Sequence, residues 1–93
     1  PNSVKEIRSY AFNYSTLRKI DIGSEIEVLG EKSLADLLYL DTLIIRATTP
    51  PLAGQNFFLN SGSENFVFLV PKESLDAYKT HKAFSKLKPQ PLN

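Results

Sequence analysis

Cysteine, methionine and tryptophan are all missing from these 93 residues, and histidine occurs once. Without cysteine there is no disulfide framework and no thiolate metal site, and the redox compartment leaves no mark on the chain. With His81 as the sole histidine, a multi-histidine metal site cannot be assembled, and that residue reads as a helix-surface side chain rather than a catalytic one. No segment approaches twenty consecutive apolar residues, which excludes a membrane-spanning helix and membrane insertion of these residues. Charge of one sign is lacking too. Eleven basic side chains face ten acidic ones, a net +1 whose field is too weak to predict nucleic acid or anionic lipid as a partner. Gly54 and Gly62 stand alone, with no phosphate-cradling run, so no nucleotide or other cofactor is implied. Glu25, Glu27, Glu31, Asp36 and Asp41 fall at loop or outward positions without the paired spacing of a glycosidase. The residues therefore predict a protein that is not an enzyme. A chain that opens at Pro1 and holds no methionine is also expected to be a piece of a longer frame, and no signal peptide is visible in it.

What is present is a repeat. Hydrophobic residues make up 42% and charged residues 23%, the balance of an ordinary globular chain whose size allows one domain with a thin core. Val4, Ile7 and Phe12 recur as Ile26, Leu29 and Leu34, each 22 positions on. Leu17, Ile20 and Ile22 recur as Leu40, Leu43 and Ile45, 23 positions on, and Phe68 and Val70 follow Leu43 and Ile45 by 25. The polar stretch 60–65 absorbs the insertion. In Ile20-Asp21-Ile22 the alternation is that of a strand, with Asp21 facing water. Ser9 to Asn13 and Glu31 to Leu37 have helical propensity and one apolar face, but are too short to stand alone. Each unit is thus expected to be a short strand plus a helical or 3₁₀ turn that precedes it. Stacking such units makes a parallel sheet on one wall, a helical wall opposite, and a shared core between them.

The filled positions Pro1-Asn2-Ser3-Val4, Ile7, Tyr10-Ala11-Phe12, Leu17, Ile20 and Ile22 resemble the repeat unit of the BspA-like leucine-rich-repeat family of bacterial surface proteins. Ala47-Thr48-Thr49-Pro50-Pro51, then Val70-Pro71, then Ser74-Leu75-Asp76-Ala77-Tyr78-Lys79 resemble that family's last unit, in order. Lys32-Ser33-Leu34 departs from the aromatic-Ala-Phe run the family prefers, and Gly23 from its proline. The resemblance covers nearly the whole chain. It implies an α/β right-handed solenoid, with two leucine-rich repeats over residues 1–49, the first truncated, and a degenerate last repeat with its cap over 50–93. It also implies recognition or adhesion at the outside of a bacterial cell, secreted or surface-bound, with a protein partner such as a host matrix or cell-surface protein. A structural cap or spacer and a glycan-binding module are the rival readings.

Pro50 and Pro51 cannot donate to a sheet and are expected to end the second strand and turn the chain back. Lys72 to His81 reads as a helix presenting Leu75 and Tyr78 on one face, with Phe84 and Leu87 continuing the apolar side as a lid on the core. Pro89 and Pro91 predict an extended tail. The lysines at 72, 79, 82, 86 and 88 read as a solvated face. Of the adjacent Phe57 and Phe58, only one is expected to point inward. The candidate protein-binding surface is the outward side of the strands. Alignment puts Lys19, Thr42 and Val67 in one row and Asp21, Ile44 and Leu69 in the next, with Arg46 at the flank. Ile44, Val67 and Leu69 break the polar-outside rule for a one-sided sheet, so an exposed apolar patch is expected there. The uncovered side around Val4 and Ile7 is expected to self-associate.

Overall fold

The computed structural model describes residues 3–12 and 15–92. Pro1 and Asn2 of the repeat pattern, and Asn13 at the end of the first helical stretch, lie outside the described residues. The chain is α/β, with two parallel sheets and little helix. Strands alternate between the sheets along the sequence: β1 (Glu6–Ile7), β3 (Val28–Leu29) and β5 (Leu52–Ala53) form one, in that order. The other is built from β2 (Lys19–Ile22), β4 (Thr42–Ile45), β6 (Val67–Pro71) and the terminal β7 (Gln90–Leu92).

Side-chain alternation explains the larger sheet. In β2 Ile20 and Ile22 are buried while Lys19 and Asp21 are exposed, and in β6 Phe68 and Val70 are buried between half-buried neighbours. Ile20 pairs with Leu43, and Leu43 with Phe68, so three inward residues form one continuous rung. The spacings of 23 and 25 read from the sequence are the spacings of this register. Burying each such side chain fully contributes about 1.5–3 kcal/mol, which is what holds short parallel strands together.

The opposite wall corrects the expectation of helical or 3₁₀ turns. It is a second parallel sheet of two-residue strands, and the stretches after those strands are turns. Tyr10, Lys32 and Asn56, each three residues past its short strand, have φ of 63°, 53° and 56°, and Asp36 and Asn60 have φ of 61° and 57°. Left-handed residues at these points interrupt any right-handed helix. Two glycines make the close stacking of these turns feasible. A Cβ on Gly54 would lie 2.5 Å from the Glu31 nitrogen, and one on Gly30 would lie 2.7 Å from that of Ser9. Successive turns are therefore in backbone contact.

Among the described residues, helix is confined to the C-terminal end. The segment expected as one helix over Lys72–His81 is a 3₁₀ turn at Lys72–Ser74 followed by α1 (Leu75–Thr80), with a further 3₁₀ turn at Ser85–Leu87. Tyr78 and Phe84 are wholly buried, and Leu75 and Leu87 half-buried against the same core. The Phe84 ring lies 5.8 Å from that of Phe68, 5.3 Å from Tyr78 and 5.2 Å from Phe57. Two hydrogen bonds fix the lid to the chain leaving β4: the Tyr78 hydroxyl donates to the Ala47 carbonyl and the Ser74 hydroxyl to that of Thr48, both at 2.7 Å. The proline-rich tail is extended as expected, and it also pairs with β6. Val70 is opposite Pro91, whose nitrogen carries no hydrogen; β7 therefore turns that nitrogen away from β6.

Candidate functional site

The outward face of the larger sheet assembles the rows read from the sequence. Lys19 pairs with Thr42 and Thr42 with Val67; Asp21 pairs with Ile44 and Ile44 with Leu69, and the second row runs on to Gln90 of β7. Lys19, Asp21 and Arg46 are exposed, and Thr42, Val67 and Leu69 are half-buried.

Ile44 departs from expectation. It is only 5% exposed, so the apolar patch is not open at its centre. Arg46 lies one residue past β4, its N–H still bonded to the Ile22 carbonyl; two residues on from Ile44 and hence on the same face, it reaches to Asp21, the cross-strand neighbour of Ile44. Its Nε and Nη2 donate to the two carboxylate oxygens at 2.8 and 2.9 Å. This fork-shaped ion pair spans the flank of Ile44 on one side while Leu69 borders it on the other, the kind of cover that a long cationic side chain provides. The Arg46 guanidinium holds the Asp21 carboxyl below the usual carboxylate range, and Asp21 raises Arg46 in turn. Chemically the face offers a charged β2 side, a covered apolar centre and a half-buried β6 side.

The residues weighed for catalysis are dispersed. Glu25, Glu27 and Glu31 are exposed, and Asp41 accepts from the Ser63 hydroxyl and lies 3.7 Å from Arg18. His81 follows α1, with its ring against Phe84 and its Nδ1 accepting from the Ala83 N–H. Among the described residues no group of three or more His, Asp or Glu side chains could hold a metal ion, and no helix is long and apolar enough to cross a membrane.

Between the last turn of the smaller sheet and the chain after α1 lies a groove of about 660 Å³, bordered by Ala53, Phe58, Leu59, Lys82, Lys86 and Leu87 among others. A second hollow of about 310 Å³ adjoins it, sharing Phe58, Lys86 and Leu87. Phe57 is buried and Phe58 half-buried, as the alternation predicts, and both border this space, with Phe58 the more exposed of the two. The signal in the sequence was the lysine-rich stretch 82–88, which read only as solvated. Compared with protein-family models, with curated proteins and with solved structures, the chain finds no match.

Proposed function

We propose that this chain is a non-catalytic protein-recognition module, the end of a leucine-rich-repeat solenoid of the BspA-like type, belonging to a larger protein at the bacterial cell surface. The observation that carries the reading is the register of β2, β4 and β6. Strands set 23 and 25 residues apart stack Ile20, Leu43 and Phe68 in line, the arrangement a repeat needs to present successive outward residues as one surface. On that surface Lys19, Asp21, Thr42, Ile44, Arg46, Val67 and Leu69 form the recognition face, and where no preceding repeat covers it the edge around Val4 and Ile7 is a self-associating surface. The burial of Ile44 favours the rival reading of a structural spacer, because the centre of the face is already covered.

Binding of the intact protein to immobilised host matrix proteins and to a glycan array separates these readings. The module binds a protein, and Lys19→Glu with Leu69→Ser abolishes that binding without moving the thermal midpoint. Binding to glycans alone, or a variant that loses stability and binding together, removes the recognition face from consideration.

A further inference from the structure

We propose that the groove beside the smaller sheet binds an extended, acidic peptide segment of a partner protein. The backbone of the last turn supplies the first reason. In the earlier turns the chain is tied to its neighbour by a repeated set of bonds: the Ile7 carbonyl accepts from the Gly30 N–H, and the Leu29 carbonyl from the Gly54 N–H, both at 2.7 Å. In the opposite direction, between the second and third turns, Leu34 and Asp36 donate their N–H groups to the carbonyls of Phe57 and Leu59, both at 2.8 Å, whereas in the first turn Phe12 donates to the Ser33 carbonyl at 3.4 Å. The equivalents in the last turn are the Ala53 carbonyl and the N–H groups of Phe58 and Asn60. Among the described residues none of these three has a partner.

The lid does not complete the pattern, because the chain from His81 to Leu87 crosses the end of the sheet as turns and not as a strand. It leaves the groove instead. β5 is therefore an edge strand, and the Ala53 carbonyl and the Phe58 N–H of the turn after it belong to residues that border the groove, an acceptor and a donor of the kind an added extended segment uses.

Charge supplies the second reason, independent of the first. The residues bordering the two adjoining hollows include Lys82, Lys86, Lys88 and His81, and no aspartate or glutamate. The bed is apolar, formed by Phe58 and Leu87. An extended segment places alternate side chains on opposite sides. One set rests on Phe58 and Leu87, and carboxylates in the segment meet Lys82 and Lys86. A small amphipathic anion satisfies the charge and the bed, but not the carbonyl of Ala53, which asks for an N–H.

The probe is a capped heptapeptide alternating Glu with Leu, titrated to millimolar concentration into the full chain and followed by amide chemical shifts. Shifts are expected at Ala53 and Phe58 to Asn60, and the exposed double variant Lys82→Glu, Lys86→Glu weakens binding about tenfold or more. Its unchanged far-ultraviolet spectrum shows that folding is intact. Absence of shifts at those amides, or equal binding by the double variant, overturns the proposal. So does equal binding of the same peptide with N-methylated amides, or of dodecanoate, since either reduces the groove to a site for anions. If the same amides shift on dilution of the protein alone, the occupant is a second copy and the partner peptide is ruled out.

Discussion

The two ends of the molecule carry the same kind of residues in opposite circumstances. At the N-terminal end β1 and β2 are edge strands, Ile7 and Phe12 are half-buried, and Val4 and Leu17 are 37% and 39% exposed. At the C-terminal end Phe68, Val70, Tyr78 and Phe84 are wholly buried. The difference is neighbours, not hydrophobicity: α1 and the following turn cover β6, whereas no described element covers β1. Stability in a stacked chain is carried by interfaces between layers, so the first layer contributes one interface and the last layers share several.

The largest test of this contrast is removal of Lys72 to Asn93. Exposing Phe57, Phe68 and Val70 together should produce aggregation and loss of the cooperative melt, read by size-exclusion chromatography and circular dichroism. A truncated chain with an unchanged melting curve would refute the lid. Next in size, Phe84→Ala is expected to cost about 3–5 kcal/mol by urea unfolding, whereas Phe12→Ala at the open end should cost about 1 kcal/mol. Equal losses would erase the asymmetry.

Tyr78→Phe sharpens the contrast through pH. The change strands the Ala47 carbonyl and should cost about 1–3 kcal/mol at neutral pH. Burial also raises the Tyr78 phenol well above its ordinary value. The folded chain keeps that proton where the unfolded chain releases it, so the stabilisation is complete below about pH 10 and is lost progressively as pH rises beyond it. The alkaline decline in the unfolding midpoint should be shallower in Tyr78→Phe than in the parent; identical slopes would mean that the phenol is not sealed. Smallest, and of opposite sign, is Ser33→Ala in the middle layer. Ser33 is fully buried and its hydroxyl has no hydrogen-bond partner among the described residues. Alanine, which stands at the equivalent position 11, should stabilise by up to about 1 kcal/mol in the same urea titration.

These contrasts also explain what was legible in the sequence. Four-residue strands with alternating Ile and charge, such as Lys19 to Ile22, announce both their period and their register, and the rows through Thr42 and Ile44 followed from spacing alone. Two-residue strands announce neither. Val28 and Leu29 are too few to alternate, and the apolar residues after them mimic a helix although Lys32 and Asp36 adopt left-handed backbone. Whether Ile44 is covered depended on an arginine two residues on reaching to a neighbouring strand. The groove depended on backbone groups left over once the lid had settled, and these have no side-chain signature.

Pro91 in β7 bears on how such molecules behave when crowded. Terminal sheet strands invite copies to add on and grow into fibres, and the outward rim of β7 meets a newcomer with a ring nitrogen that has no hydrogen to give. Growth of the larger sheet past β7 is thereby discouraged by one residue.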